Sequence, residues 1–185
     1  MKYWALKTWE SNGKYDETKN KWKDFLREKV IAIGWKKLGI TLTNKTPREQ
    51  IRDALKNEYD YNNYEAGHPA STIFNFIQLG EKDNILICRG YNSTQTAKVR
   101  LYGTAREIGQ FFIHVESTWW FFKHNATLKA FKKCKEYIPK NELKDMLSRG
   151  KLHGRTPSVK GLQGTLIQIS EEGYKAVLEW AEQDC

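Results

Sequence analysis

Short apolar runs and alternating positions along this chain predict a set of β-strands. In the first, at residues 2–8, Trp4 and Leu6 alternate with residues of the opposite face, which is the two-residue period of a strand. A second strand is predicted in the apolar run that ends at Trp35. The remaining strands are predicted at residues 84–89 and 97–106, which flank a polar turn, within residues 111–123, and at residues 166–169.

Helical periodicity and capping signals predict helices between these strands. The sequence Thr-Pro-Arg-Glu at residues 46–49 is that of a capping box with proline at the first helical position. The next helix is predicted at about residues 70–79, with Ile73 and Phe76 turned inward. Ser170 is predicted to begin a terminal helix. Shorter helices are predicted at residues 21–29 and 139–148.

Strands mixed with helices predict the α+β class, with a curved mixed sheet or a small open β-barrel flanked by helices. The chain has 185 residues, which suffices for one sizeable hydrophobic core. No internal repeat and no convincing linker interrupts the pattern. Residues 1–185 are therefore expected to form a single domain.

The charge balance of the sequence indicates what kind of partner the protein binds. The sequence contains 31 Lys and Arg against 22 Asp and Glu, a formal net charge of +9, and seven Trp. An excess of this size favours a polyanionic partner. Aromatic rings stack on bases and lysines neutralise phosphates, so enrichment in both indicates nucleic acid. A general solubility surface is the alternative explanation of the charge.

Several classes of function lack their motifs in this sequence. No apolar run approaches the roughly 20 residues that span a bilayer, so no membrane association and a cytoplasmic location are expected. The three Cys are widely spaced without a CxxC pair, and the four His lack metal-ligand spacing. A GxxxxGK[ST] phosphate loop and a GxSxG nucleophile elbow are also absent. We therefore expect no catalytic residues, no metal and no cofactor.

Trp35 is the most informative residue of the chain. The apolar run from Val30 to Ile33 predicts a buried strand, and Gly34 allows a sharp turn after it. The indole is thereby delivered to the end of a rigid element, directly before Lys36 and Lys37. Such a ring beside positive charge suits stacking on a base that is attached to phosphates. The alternative is a core tryptophan followed by solvated lysines.

Other aromatic and basic residues extend this candidate site. Trp9 and Trp22 bracket the polar loop after the first strand, and they would converge with Trp35 if the first two strands were neighbours. The alternative for Trp22 is the inner face of its own helix. The cations that are predicted to contact phosphates are Lys21, Lys23 and Lys37, together with Arg155 and Lys160 in a Gly-rich segment. The alternative is that each of these basic clusters is simply a solvated face of the protein.

Five segments follow one another in a characteristic order: YWALKT at residues 3–8, IAIGWKKLG at 31–39, two helices, EKDNILICRG at 81–90, and VRLYGTA at 99–105. This order resembles the YTH and EVE branch of PUA-like domains, as found on modification-dependent restriction proteins. It is similar in particular to the N-terminal DNA-binding domain of archaeal McrB-type restriction proteins. The resemblance covers roughly residues 2–125 well and the remainder loosely.

The resemblance implies a PUA-like fold and a flipped, modified base held in an aromatic cage, with N6-methyladenine the usual guest of YTH domains. Trp35 falls where the family has its first cage Trp. The family's later cage Trp comes from a loop that has no Trp here, at residues 103–110. Residues that would instead complete the cage are Phe112, Trp119, Trp22 and Trp9; those near the family's polar contacts to the base edge and backbone are Lys7, Thr8, Asn12 and Lys36.

Taken together, these patterns predict a DNA-binding module that recognises a modified base by base flipping. It would target a McrBC-type restriction complex, fused to or acting with an AAA+ GTPase motor and a nuclease subunit, because this chain has neither motif. An RNA-binding reader of N6-methyladenosine with the same fold is the first alternative, which a requirement for the 2′-hydroxyl would identify. A small nucleic-acid-acting enzyme is the second, and turnover with a divalent metal would identify it.

Overall fold

The computed structural model describes residues 1–8, 25, 27, 29–33, 35, 38–89, 96–105, 122–130, 138–139, 145–151 and 166–182. The strands defined there are β1 (Tyr3–Thr8), β2 (Val30–Ile33), β3 (Asn84–Arg89), β4 (Thr96–Ala105), β5 (Phe122–Ala130), β6 (Ile138–Pro139) and β7 (Leu166–Ile169). The helices are α1 (Arg48–Tyr59), α2 (Asn63–Ile77) and α3 (Glu171–Glu182).

The strands form one mixed sheet in the order β2-β5-β4-β3-β1-β7, and β6 pairs with β4. Among the described strands, only β1 and β3 run parallel; the other neighbouring strands are antiparallel. The strand β5 is shared, because its residues 122–125 pair with β2 and its residues 126–130 pair with β4. The predicted α+β class with a mixed sheet flanked by helices is confirmed.

Curvature of the sheet follows from its packing. Ile31 and Ile33 of β2 belong to the same buried cluster as Trp4 and Leu6 of β1, although three strands separate β2 from β1 in the sheet. A flat sheet would hold these side chains far apart, since neighbouring strands are spaced by about 4.8 Å. The sheet therefore bends around this cluster, as the predicted curved sheet requires.

Both faces of β1 are buried. Trp4 and Leu6 pack into the first core, with α1 and α2, whereas Ala5 between them packs into a second core that includes Val177 of α3. Alternate side chains of a strand point to opposite faces, so helices cover the sheet on both sides. This burial explains why β1 has an apolar residue at each of three successive positions.

The start of β1 is fixed by a buried carboxylate. Asp83 is 3% exposed and accepts hydrogen bonds from the indole Nε1 of Trp4 at 2.9 Å, the backbone N–H of Lys2 at 2.7 Å and that of Gly80 at 3.0 Å. A buried charge requires such partners because burial without them is costly. Trp4 and Asp83 therefore join β1 to the turn before β3, and this tryptophan is part of the fold.

The predicted capping box at the start of α1 is wrong. The hydroxyl of Thr46 accepts a hydrogen bond from the backbone N–H of Thr43 at 2.8 Å, so it closes the preceding turn. Pro47 occupies the N-cap position, and no side chain caps this helix. Thr46 is buried, and its hydroxyl also lies 3.3 Å from the hydroxyl of Thr43, so it is engaged within the turn and does not cap the helix.

The helix α2 begins well before the predicted residue 70. The side-chain oxygen of Asn62 accepts from the backbone N–H groups of Tyr64 and Glu65 at 2.9 Å each, and the Glu65 carboxylate accepts from the N–H of Asn62 at 3.0 Å. This capping box starts the helix early enough that Gly67 and Pro69 lie inside it.

Other predicted elements differ from the observed ones at their boundaries. The strand predicted within residues 111–123 overlaps β5 only at residues 122–123, because β5 begins at Phe122 and continues to Ala130; residues 111–121 lie outside the described residues. Of the helix predicted at 139–148, Pro139 belongs to β6 and residues 145–148 are helical, while residues 140–144 lie outside the described residues. The terminal helix is confirmed, with the hydroxyl of Ser170 accepting from the N–H of Gly173 at 3.0 Å.

Candidate functional site

Trp35 follows β2, the strand at one end of the sheet, and its backbone has an unusual conformation. Its φ angle is +73°, in the left-handed region that bulky residues rarely adopt. For a residue with a side chain this conformation costs roughly 1–2 kcal/mol relative to the right-handed one. Strain of this kind occurs preferentially at functional sites, where the surrounding structure holds it in place. Trp35 is therefore the residue of this strand end whose backbone most needs an explanation.

The surroundings of the Trp35 side chain lie between the two alternatives that the sequence leaves open. It is partly buried and packs against the first core, so it is neither a fully enclosed residue nor a free one. Ile33 and Leu38 on either side of it are fully buried and anchor the segment. An indole that is held by the core and still partly open to solvent has the properties of a stacking platform.

The first two predicted strands are not neighbours. In the sheet, β1 and β2 are separated by β5, β4 and β3. The condition under which Trp9, Trp22 and Trp35 would converge through strand pairing is therefore not met. The physical reason is that β1 pairs with β3 and β7 on its two sides, so it has no free edge for β2.

Lys7 and Thr8 lie at the end of β1, on a different part of the hydrogen-bonded ladder from Trp35. Thr8 pairs with Arg89 of β3, whereas Tyr3 at the other end of β1 pairs with Asn84. Asn84 aligns through Thr104 with Thr127 of β5, and β5 continues beyond this row, away from Thr8, to Phe122 opposite Ile33. Strand pairing alone therefore does not bring Lys7 and Thr8 beside Trp35.

Most of the other predicted site residues lie outside the described residues. This holds for the cage candidates Trp9, Trp22, Phe112 and Trp119, for Asn12 and Lys36, and for the phosphate-contact candidates Lys21, Lys23, Lys37, Arg155 and Lys160. Their roles stay predictions.

The corner between α1 and α2 presents further aromatic residues. Tyr59 and Tyr61 are partly buried against the first core, and their rings stack with centroids 5.5 Å apart. Asp60 between them adopts a φ of +54° and ends α1. Tyr64 is 92% exposed. Tyr59 and Tyr61 thus tether this corner to the core, whereas Tyr64 points to solvent.

The segment after Trp35 is packed against the end of α1. Gly39 has a φ of +61°, and a Cβ at this position would lie 2.6 Å from Oε1 of Glu58. The backbone conformation favours glycine here, whereas the Glu58 carboxylate ends an exposed, flexible side chain that can move aside. The chain therefore turns tightly between the Trp35 strand end and the first helix layer.

The shifted pKa values in the described part of the chain belong to the α3 side of the sheet. Burial raises the pKa of Tyr3, and the negative charge of Glu171 raises it further. Lys175 lies 2.7 Å from Glu171, and its hydrogen bond lowers the pKa of that carboxyl. The same pairing raises the pKa of Lys175. These groups lie where the start of α3 packs against β1. They do not belong to the Trp35 strand end.

Among the residues that the structure describes, no group of three or more His, Cys, Asp and Glu could hold a metal ion. Within the same residues, no helix combines the length and the apolar character needed to cross a membrane.

No protein-family model matches the chain, and no curated protein does so either. Solved structures are similar at low identity. A Pseudomonas syringae protein is 14% identical with a TM-score of 0.46, covering 97% of this chain and 99% of its own. A hypothetical protein from Leishmania major is 12% identical with a TM-score of 0.47, covering 99% of this chain and 96% of its own.

A third similar structure is that of human THYN1 in complex with DNA that contains 5-methylcytosine. It is 12% identical with a TM-score of 0.41, and the alignment covers 100% of both chains. With TM-scores this low, none of the three likenesses carries an argument about function. The function of this chain is argued from its own residues.

Proposed function

We propose that this chain is a DNA-binding module of the PUA-like YTH/EVE type that recognises a modified base by flipping it out of the duplex. The proposal is based on Trp35 at the end of β2. Its backbone is strained, and its indole is partly exposed and packs against the first core. Stacking on one aromatic ring contributes on the order of 1–3 kcal/mol per base. Extruding a base costs a few kcal/mol, so such a platform changes the balance between stacked and flipped states.

The charge distribution supports a nucleic-acid partner. Residues 44–83, which include α1 and α2, contain 5 Lys and Arg against 7 Asp and Glu, and residues 171–185 contain 1 against 5. The rest of the chain therefore has 25 Lys and Arg against 10 Asp and Glu, a net charge of +15. The helices that cover the sheet are net acidic, and the strands with their connections have the positive charge that phosphates require.

N6-methyladenine is the modification that we propose. A methyl group adds apolar area to the flat base. Burial of that area in an aromatic cage is favourable and requires no cationic group on the base. Trp35 would form one wall, and the second wall would come from Phe112, Trp119, Trp22 or Trp9. Lys7, Thr8, Asn12 and Lys36 would contact the base edge and the backbone.

The proposed module performs no catalysis itself. We propose that it targets a McrBC-type restriction complex to modified DNA, fused to or acting with an AAA+ GTPase motor and a nuclease subunit. The support is the sequence, which has no phosphate loop of its own. Binding without turnover is therefore the activity to measure.

A panel of duplexes at one fixed salt concentration tests this function. The members carry N6-methyladenine, 5-methylcytosine or no modification in the same sequence, with an RNA strand of that sequence as a further arm. We expect the tightest binding to the N6-methyladenine duplex. Equal affinity for all three duplexes would refute base recognition, a preference for 5-methylcytosine would change the guest, and a 2′-hydroxyl requirement would make the chain an RNA reader.

A further inference from the structure

The strand β2 lies between two residues whose backbones are left-handed. Lys29, directly before Val30, has a φ of +54°, and Trp35, shortly after Ile33, has a φ of +73°. Residues with a side chain avoid this region, because their Cβ comes too close to the following carbonyl oxygen. Contacts elsewhere in the protein must therefore hold both conformations. That of Trp35 matters for function, since this residue is the proposed platform for the base.

The first core holds the chain on both sides of Trp35. Ile33 is 0% exposed and Leu38 is 5% exposed, and both side chains belong to this core. The segment between residues 33 and 38 is therefore tied down at its two ends, and the Trp35 side chain packs partly buried against the same core. Fixed ends restrict the backbone paths that are open to the residues between them, so a conformation that a free chain avoids becomes the stable one.

Leu38 is the anchor that can be tested by itself. Ile33 belongs to β2 and is paired with Phe122 of β5, so its truncation would disturb the sheet as well. Leu38 lies outside every described strand and helix. Leu42, further along the same segment, is also buried in the first core and also lies outside them. Loss of the Leu38 side chain therefore leaves the segment attached to the core through Leu42.

We propose that Leu38 is a positioning residue of the base site: its burial keeps Trp35 in the left-handed conformation that leaves the indole packed on the core and partly open to solvent. The inference rests on the proposed function and deepens it, because it names a residue that controls how well the modified base is selected. Leu38 is 5% exposed, so it acts through Trp35 and not by contact with the base. Sequence reasoning did not select it.

The size of the expected effect follows from the backbone conformation. A residue with a side chain that nothing holds populates the left-handed region about 5–30-fold less than the right-handed one. Without Leu38, most molecules present the indole in another orientation. The apparent affinity for the modified base falls in proportion to the fraction of molecules that is still competent to bind. Contacts to phosphates do not depend on the Trp35 conformation, so binding to an unmodified duplex is retained.

The binding test compares Leu38→Ala with Leu42→Ala in the full chain. Both substitutions remove the same atoms from the first core, so their general effect on stability is matched. We expect Leu38→Ala to weaken binding of the N6-methyladenine duplex by about 5–30-fold, at most down to the affinity of the unmodified duplex, which should change by less than about twofold. Leu42→Ala should leave the ratio of the two affinities unchanged. Leu38→Met, which keeps the side-chain volume, should restore the ratio.

A second test needs no DNA and reports on the backbone at Trp35. Glycine adopts a positive φ without strain, so Trp35→Gly should melt about 2–4 °C above Trp35→Ala in a chain of 185 residues. This difference should persist when Leu42→Ala is added to both variants. It should disappear when Leu38→Ala is added, because the backbone at this position is then free to leave the left-handed region.

The outcomes separate the failure of this inference from that of the proposed function. A wild type that binds all duplexes equally refutes base recognition, and the melting comparison still decides whether Leu38 holds Trp35. If the wild type prefers the modified duplex, an unchanged ratio of affinities in Leu38→Ala, or an equal loss in Leu42→Ala, refutes the positioning role alone. A glycine advantage that survives Leu38→Ala refutes it as well. If Leu38→Ala unfolds, Leu38→Val and Leu42→Val, which remove less of the side chain, replace the two alanine variants in both tests.

Discussion

At the scale of single residues, two tryptophans near strands have different surroundings. Trp4 is buried, and its indole N–H donates to the buried carboxylate of Asp83 at 2.9 Å. Trp35 is partly exposed, and its backbone is strained. Both lie in apolar runs of the sequence, so residue type and local pattern do not separate them. Trp4 is distinguished by the carboxylate that its indole N–H contacts, and Trp35 is distinguished by its positive φ angle.

Replacing Trp35 tests both of its properties. Trp35→Ala should abolish the preference for modified DNA and leave salt-sensitive binding, whereas Trp35→Phe should retain part of the preference because a ring remains. Trp35→Gly should be more stable than Trp35→Ala by about 1 kcal/mol, since glycine adopts a positive φ without strain. Thermal melting and duplex binding measure these outcomes. A loss of well over 3 kcal/mol in Trp35→Ala, the range of a full core truncation, would make Trp35 mainly a core residue.

The buried carboxylate gives a second prediction at this scale. Asp83→Ala should lower the free energy of unfolding by about 3 kcal/mol, because three N–H donors lose their acceptor in a buried place. Urea denaturation measures the change. The exposed Asp53 is the control, and Asp53→Ala should alter stability by less than about 0.5 kcal/mol. Equal effects of the two substitutions would contradict the role of Asp83.

At the scale of elements, helix ends are decided by which side chain reaches them. Asn62 and Glu65 form a reciprocal capping box at the start of α2, so the helix includes Pro69. The Thr46 hydroxyl is held by Thr43 and leaves α1 uncapped by a side chain. A capping residue followed three positions later by glutamate therefore forms a capping box at the start of α2 but not at the start of α1.

The cap of α2 is testable by a single substitution. Asn62→Ala should reduce the free energy of unfolding by about 0.5–2 kcal/mol, because the N–H groups of Tyr64 and Glu65 lose their acceptor. Chemical denaturation gives the value. Asn63→Ala, in the exposed first turn, should have a much smaller effect. A Thr46→Ala variant should likewise not alter the start of α1 through a lost cap.

The contact between β1 and α3 predicts a pH dependence. Burial and the carboxylate of Glu171 raise the pKa of Tyr3 above its ordinary value of 10.0. In the unfolded chain Tyr3 ionises first, so its contribution to stability is complete below pH 10 and is lost as the pH rises through the raised pKa. The phenolate absorbance that Tyr3→Phe removes should titrate above that of an ordinary tyrosine. Titration of this component below pH 10 would contradict the packing against α3.

At the scale of the whole molecule, charge is divided unevenly between segments of the sequence. The net charge of +9 is the sum of net acidic helical segments and a strongly basic remainder. Since polyanions approach the basic side, nucleic acid is expected at the strands and their connections. The covering helices would then face away from it.

The Gly-rich basic segment gives the prediction at this scale. Arg155→Ala/Lys160→Ala should weaken binding to modified and unmodified duplexes by the same factor, because phosphate contacts carry no sequence information. The slope against salt should fall by up to about 2. Duplex titrations at several salt concentrations measure both effects. A loss confined to the modified duplex would instead assign these residues to the base pocket.

The sequence by itself determined the elements whose signals are local. Apolar runs are short-range patterns, so β3 and β7 were predicted with their observed bounds, β1 within one residue at its start, and β4 within one residue at each end. The start of α3 was predicted for the same reason, because Ser170 caps its own helix. Composition also determined the net positive charge and the high content of aromatic residues, which together indicate a nucleic-acid partner.

Only the tertiary structure decided which distant segments meet. Strand order is set by long-range pairing, and it separates β1 from β2, against the neighbouring arrangement that would have gathered three indoles. The parallel pairing of β1 with β3 likewise joins segments that are far apart in the sequence, and no local pattern indicates it. The left-handed conformation of Trp35 is likewise imposed by packing on both sides of it, because an isolated chain would avoid that strain.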